Sequence, residues 1–189
     1  SDLSGSNKVL YALVGCSDGT PAAPTGVVLD SAGVNEALTL QGSGITFGTF
    51  ANASLWRKIA PSNVTAKVVT ATWAAAKGER GIIVWVETGI NQTTPNDTVA
   101  SASGGGTTAV SAGAAASAVD RRVLNFAQAL KTGEFAGVAF GSPSGTERHD
   151  ILTSGTSYDA FAAQEQIAVG STTTPTRSEE RRVGKECLR

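Results

Sequence analysis

The chain has 189 residues, a length that suits one domain able to bury most of its apolar surface. Its 15 Lys and Arg are nearly balanced by 16 Asp and Glu. The chain thus has no excess of basic residues, and nucleic acid is not an expected partner. Gly, Thr, Ser, Val and Ala dominate and no apolar stretch approaches the roughly 20 residues that span a bilayer, which predicts an all-β chain without a membrane segment.

The first quarter of the chain alternates predicted strands with turns. Residues 7–17 form a continuous apolar run that ends in turn residues, which favours a buried strand. The Pro and Gly cluster at 18–26 predicts a turn, and 27–40 reads as two strands joined at a glycine. Residues 41–50 are predicted to be a Gly-rich connection.

Three further strands are predicted before residue 90. Segment 52–60 alternates, with Asn52, Ser54, Trp56 and Lys58 on one face and Ala53, Leu55, Arg57 and Ile59 on the other. Segment 63–73 predicts a long strand. Segment 81–89 is the most strand-like part of the chain and is predicted to be a central strand.

The second half is less regular. Residues 90–117 are nearly free of charge and predict exposed loops around a short strand near 107–111. Segment 120–133 is predicted to be a strand, with a helix as the alternative, and 145–155 and 158–170 are the closing strands. About nine strands at this spacing predict an antiparallel two-sheet β-sandwich, as one domain over residues 1–176.

Four stretches carry a resemblance to a known kind of module: "SGSNKVLYALVG" (4–15), "VVLDSAGVNEALTL" (27–40), "SLWRKIAPSNVTAKVVTATW" (54–73) and "IIVWVETGINQTTPNDTVAS" (82–101). Together they resemble a jelly-roll-like β-sandwich module that recurs in secreted and surface proteins of bacteria and in phage structural proteins. The resemblance covers roughly residues 1–170. The chain departs from the pattern at Glu87 and Asn91, where the module more often has Ser and Asp. The resemblance implies a non-catalytic appendage.

The last thirteen residues differ from the rest of the chain. They hold five Lys or Arg and three Glu, and without them the chain has ten basic and thirteen acidic residues, a net charge of −3. "RSEERRVGKEC" resembles the translation of a sequencing adapter. Residues 177–189 are therefore predicted to be a non-native or disordered tail that packs against nothing. The same interpretation sets Cys187 aside and makes the chain a metagenomic fragment truncated at its ends.

Residues for catalysis or metal binding are scattered. His149 is the only histidine, and although Glu147 shares its predicted strand face, no nucleophile motif accompanies it, so a solvated polar strand is expected. Cys16 is expected to be a buried thiol. A calcium site or a pair of carboxylates for glycosidic cleavage would need acidic residues at a characteristic spacing. The candidates by residue type show no such spacing: Asp30, Glu79, Glu87, Asp97, Glu134 and Asp159. We predict no catalytic residue, no metal and no cofactor. The glycines at 104–106 are predicted to be a linker or loop tip.

Aromatic residues give the clearest binding hypothesis. If the Trp56 face of segment 52–60 points outward, Trp56 could stack on a sugar with Asn52 and Lys58 beside it. The alternative is that all three tryptophans pack inside. Four N-glycosylation sequons begin at Asn52, Asn63, Asn91 and Asn96.

These observations favour a non-catalytic structural or surface module of a virion, an extracellular filament or a larger secreted protein. Its expected partners are copies of itself or neighbouring structural domains, rather than nucleic acid or a membrane. A carbohydrate-binding module that uses an exposed Trp to hold polysaccharide is the alternative. A glycan-active enzyme fragment is the third hypothesis.

Overall fold

All helix or strand elements in the described residues are β-strands, as the composition predicts. This computed structural model describes residues 7–31, 34–62, 67–95 and 101–103, together with the strand backbones that follow them. None of the described segments forms a helix long and apolar enough to cross a membrane. Contacts divide the chain into two units, Ser1–Ser103 and Gly104–Arg189, where one domain over 1–176 was predicted. The boundary falls at the glycines of 104–106.

The first unit contains two antiparallel sheets. The strands are β1 (Val9–Ser17), β2 (Gly26–Ser31), β3 (Val34–Ala37), β4 (Thr39–Phe47), β5 (Ala51–Ile59), β6 (Val68–Thr72) and β7 (Glu79–Glu87). One sheet has four strands in the order β4-β5-β1-β7, and the other has three in the order β3-β2-β6. Strands β2 and β3 are the hairpin predicted within 27–40.

Strand β1 is the central element of the four-stranded sheet. All nine of its residues are buried, which explains why its sequence is apolar without alternation. It pairs with β5 on one side and with β7 on the other. The prediction that segment 81–89 is central is wrong, because β7 is the outermost described strand on its side of this sheet.

The prediction of a connection at 41–50 is also wrong. Strand β4 extends to Phe47 and pairs with β5, and its register shifts between Gln41 and Ile45. A β-bulge of this kind absorbs extra residues without ending the strand. Gly42 and Gly44 therefore lie within an irregular strand, and the turn, which contains Gly48, occupies only 48–50.

One hydrophobic cluster contains residues from both sheets. Its buried members are Leu10, Ala12, Val14, Val27, Leu29, Leu38 and Trp56. Side chains of β6 and β7 pack against this cluster, and they include Val69, Ala71, Ile82, Val84 and Val86. The apolar residues of alternate positions in each strand thus meet in a shared core.

The second unit is described by its strand backbones. They are β8 (Ala109–Ser111), β9 (Ala115–Ala116), β10 (Arg122–Thr132), β11 (Ala139–Phe140), β12 (Thr146–Leu152), β13 (Ser157–Ile167), β14 (Thr172–Thr173) and β15 (Thr176–Ser178). The longest form an antiparallel sheet in the order β10-β13-β12. Segment 120–133 is therefore a strand and not the alternative helix.

Two details of this unit differ from the sequence-based expectations. The register between β12 and β13 shifts between Glu147 and His149, so regular alternation does not relate these two residues. Arg177 pairs with Val110 and Phe140, and Ser178 also lies in β15. The first two residues of the tail predicted to pack against nothing are thus part of a sheet, and residues 179–189 lie outside the described part of the chain.

Candidate functional site

Three connections meet at one end of the four-stranded sheet. Ser17, the last residue of β1, lies opposite Ala51 at the start of β5 and opposite Glu79 at the start of β7. The segments that continue from these ends are therefore neighbours. We call residues 18–20, 47–51 and 74–78 together the loop end.

Asp18 connects the three segments of the loop end. Its Oδ1 accepts the Thr20 N–H at 2.9 Å, an Asx turn, and its Oδ2 accepts the Gly78 N–H at 3.4 Å. The Lys77 ammonium lies 3.5 Å from Asp18 Oδ2 and also donates to the Thr20 carbonyl. The backbone N–H of Asp18 donates to the Phe50 carbonyl at 3.2 Å. These contacts hold all three segments in one arrangement.

The loop end presents two aromatic side chains to solvent. Phe47 is 37% exposed and Phe50 is 57% exposed, and their ring centroids lie 6.2 Å apart with 32° between the ring planes. The Phe50 N–H donates to the Phe47 carbonyl at 3.1 Å and closes the β4–β5 turn. Gly48 occupies the first central position with φ 52°, which suits a glycine in a tight hairpin turn.

We expect Gly78→Ala to destabilise the loop end. A Cβ at this position would lie 3.0 Å from the Ser17 carbonyl oxygen and 3.4 Å from Asp18 Cβ, so the backbone would have to move. Such crowding costs about 1–2 kcal/mol, which urea unfolding measures directly. Gly19→Ala is the matched control in the same loop end, because a Cβ there has no atom within 4 Å. Equal stability of the two variants would contradict the crowding.

The hypothesis of an outward-facing Trp56 does not hold, and the alternative that Trp56 packs inside is confirmed. Trp56 is only 8% exposed and belongs to the core cluster, where its Nε1–H donates to Ser54 Oγ at 2.9 Å. Asn52 is 3% exposed and its Nδ2 donates to Thr46 Oγ1 at 2.9 Å. Lys58 is half-buried and lies 3.7 Å from a carboxylate oxygen of Glu36. No stacking surface exists at Trp56.

Glu36 is the centre of a polar cluster that joins the two sheets. It lies on β3, and its Oε1 accepts the Lys67 ammonium at 2.7 Å; Ser62 donates both its N–H and its hydroxyl to the same carboxylate. Burial on its own would raise the pKa of Glu36, but the hydrogen bonds from Lys67 and Ser62 and the charge of Lys67 lower it to about 2. The carboxylate therefore stays ionised and acts as a structural anchor.

A second polar group lies on the face of the four-stranded sheet that carries Tyr11. Cross-strand pairing places Tyr11 between Arg57 on β5 and Trp85 on β7. Trp85 donates its Nε1–H to Glu87, and the Tyr11, Trp85 and Glu87 side chains are buried. Burial raises the pKa of Tyr11 to about 12, with Arg57 lowering it and Glu87 raising it further. The phenol thus stays protonated at neutral pH.

The remaining predicted residues have varied positions. Cys16 is a buried thiol, as expected, with its Sγ 3.3 Å from the Ala22 carbonyl oxygen. Asn91 is exposed, and its Oδ1 accepts the Thr93 and Thr94 N–H groups. The other residues proposed for glycosylation or metal binding lie outside the described residues or have no described side chain: Asn63, Asn96, Asp30, Asp97, Glu134 and Asp159.

The aromatic pair was missed in the sequence because its segment was read as a connection. The signal that could have identified it is "FGTF" (47–50), in which a glycine follows an aromatic residue and a second aromatic residue closes a four-residue turn. The Glu36 cluster offers no such signal, because Lys67 is 31 residues away along the chain.

Comparison of the chain with protein family models, with curated protein sequences and with solved structures finds no match. Within the part of the chain that the structure describes, no group of three or more His, Cys, Asp or Glu is arranged to hold a metal ion. The function therefore has to be argued from the surface of the described residues.

Proposed function

We propose that the chain is a non-catalytic structural or surface module of a virion, a filament or a larger secreted protein. It acts by contact with copies of itself or with neighbouring domains. The proposal extends to a jelly-roll-like β-sandwich; the fifteen strands of the described residues exceed the nine or so that the sequence predicts. The shared core of the two sheets in the first unit supports a sandwich, since apolar faces of two sheets that meet in one cluster are its defining contact.

The observation that carries the contact role is the surface of β6. This strand is the outermost described strand on its side of the three-stranded sheet. Its sequence, VVTAT, has no charge, and its residues alternate between exposed and half-buried. Val68 is 61% exposed, more than any other large hydrophobic side chain in the described residues. Outer strands usually carry charges that discourage pairing, so a neutral, β-branched outer strand suits contact with another chain.

We expect Val68→Lys to weaken association of the chain. A lysine at this position places a positive charge on the contact surface of both partners and requires its desolvation. Sedimentation velocity over a range of protein concentrations measures the effect, and a loss of at least tenfold in association constant is expected. Thr88→Lys, at an exposed position beyond the end of β7, adds the same charge as a matched control.

Two results would contradict the contact role of β6. The first is a wild-type chain that remains monomeric at every concentration. The second is a Val68→Lys variant that associates as tightly as the wild type. Circular dichroism of each variant confirms that it is folded, since Val68 is exposed and its replacement leaves the core intact.

The adapter-like origin of residues 177–189 is part of the same proposal, and residues 179–189 are the part that lies outside the described strands. The chain contains 189 residues, and a stop codon after Ser178 removes only the last eleven. If these residues are not native, the shortened chain unfolds at the same urea concentration as the full chain. A lower midpoint for the shortened chain would mean that the tail contributes to the fold.

A further inference from the structure

We propose that the loop end binds a neutral polysaccharide, with sugar rings stacked on Phe47 and Phe50. This binding goes beyond the contact role of β6 and uses different residues. The two phenyl rings are the exposed aromatic side chains of the described part of the chain, and they lie together. Aromatic faces are suited to the apolar C–H face of a sugar ring, whose hydroxyls remain at its edge.

The geometry of the pair suits a chain of linked rings. The phenyl centroids are 6.2 Å apart, so each ring can contact a different sugar. The planes are tilted by 32° to each other, which fits successive rings of a twisted chain better than a flat crystalline surface. The site therefore favours a soluble polysaccharide over a crystalline one.

The charge of the loop end favours a neutral ligand. Residues 41–55, which include the whole β4–β5 turn, contain no charged residue. Asp18 and Lys77 are the only charged residues of the loop end, and their side chains lie 3.5 Å apart. Paired charges of opposite sign leave little net field for an anionic chain or an anionic membrane surface.

Hydroxyl groups of the loop end can bind sugar hydroxyls. Thr20 and Thr49 are both exposed, and each hydroxyl can donate one hydrogen bond and accept others. Thr20 donates its N–H to Asp18, whose own N–H donates to the Phe50 carbonyl, and Thr49 directly precedes Phe50 in the β4–β5 turn. An aromatic pair and exposed hydroxyls on the same loop end suit a sugar, which is apolar on its faces and polar around its edge.

The aromatic surface of the loop end is small. The exposed parts of the two phenylalanine side chains amount to roughly 200 Å². A small rigid site suits a ligand of a few sugar rings. The hydrogen bonds of Asp18 fix the loop end before binding, which reduces the entropy lost when a ligand is bound.

Affinity electrophoresis of the full chain tests the proposal. The probes are hydroxyethyl cellulose, xylan and galactomannan as neutral polysaccharides, with polygalacturonate as an anionic control. We expect at least one neutral polysaccharide to retard the wild-type chain and polygalacturonate to have no effect. Phe50→Leu keeps an apolar side chain but removes the ring, so it should weaken retardation about tenfold. Phe50→Trp should keep or strengthen it.

The matched control is Thr88→Ala, at an exposed position beyond the end of β7 that belongs neither to the loop end nor to β6, and it should leave retardation unchanged. The proposal is overturned if no neutral polysaccharide retards the wild type, or if Phe50→Leu binds as well as the wild type. Co-sedimentation with phosphatidylcholine vesicles in place of polysaccharide binding would also overturn it, in favour of a lipid surface. None of these results depends on association through β6.

Discussion

Trp56→Ala is expected to lower the free energy of unfolding by about 3–5 kcal/mol, the range for removal of a buried aromatic side chain. Trp56 contacts the core that both sheets of the first unit share, so its loss opens a cavity where the sheets meet. It also removes the donor to Ser54 Oγ, which in turn donates to the Val14 carbonyl at 3.2 Å. Total stabilities of about 5–15 kcal/mol make this a large fraction of the whole.

Trp73→Ala is the matched control for this prediction. Trp73 is half-buried at the margin of the same core and donates its Nε1–H to the Ala22 carbonyl at 3.0 Å. Its replacement should cost about 1–2 kcal/mol, within the ordinary range for single substitutions. Urea unfolding followed by circular dichroism measures both variants without relying on tryptophan fluorescence. If Trp56→Ala costs no more than Trp73→Ala, the assignment of Trp56 to the core is contradicted.

Trp56 also shows where the sequence is informative and where it is not. Alternation in 52–60 correctly separated the two faces of β5, because side chains of a strand alternate regardless of what covers them. It could not identify the core face, because Trp56 shares its face with Asn52, Ser54 and Lys58. Their polar atoms contact Thr46, Val14 and Glu36, which lie on three other strands.

The strands themselves were predictable where burial dominates their composition. Strand β1 is buried at every position, so an apolar run was sufficient to identify it. Strand β7 was identified but was wrongly placed at the centre of its sheet. Apolar residues indicate that the faces of a strand are buried, but they do not indicate whether the strand pairs on one side or on both. Strand β4 was missed because pairing with β5 and a bulge compensate for glycines that usually end a strand.

The two surface sites could be predicted from the sequence to different degrees. Val68 and the neutral β6 lie in a segment that was recognised as a strand, but its outer position depends on the order of strands in the sheet. Phe47 and Phe50 are close in sequence, yet their exposure follows from the hairpin that β4 and β5 form. Both sites therefore required the topology as well as the residues.

Glu36→Gln is expected to destabilise the chain by about 3 kcal/mol at pH 7, because it leaves a buried ammonium without its carboxylate. The Lys67 side chain is only 2% exposed and lies 2.7 Å from Glu36 Oε1. The cluster joins β3 to Lys58 on β5 and to Lys67 before β6, so its loss loosens the contact between the sheets. Lys58→Gln is the control, since a pair at 3.7 Å with a partly exposed lysine contributes less than about 1 kcal/mol.

The same cluster should make stability depend on pH in a defined window. The pKa of Glu36 is about 2 in the folded chain, below the ordinary value of 4.5, so the folded state holds the ionised form more strongly than the unfolded state does. The stabilisation is therefore complete above about pH 5 and is lost progressively as the pH falls from 4.5 towards 2.

Urea unfolding of the wild type and Glu36→Gln at several pH values isolates this contribution, since all other carboxylates are common to both chains. The difference between the two free energies should shrink towards zero near pH 2, where a protonated Glu36 resembles glutamine. A difference that stays constant from pH 7 to pH 2 would contradict the assignment, because it would mean that the charge of Glu36 does not stabilise the fold.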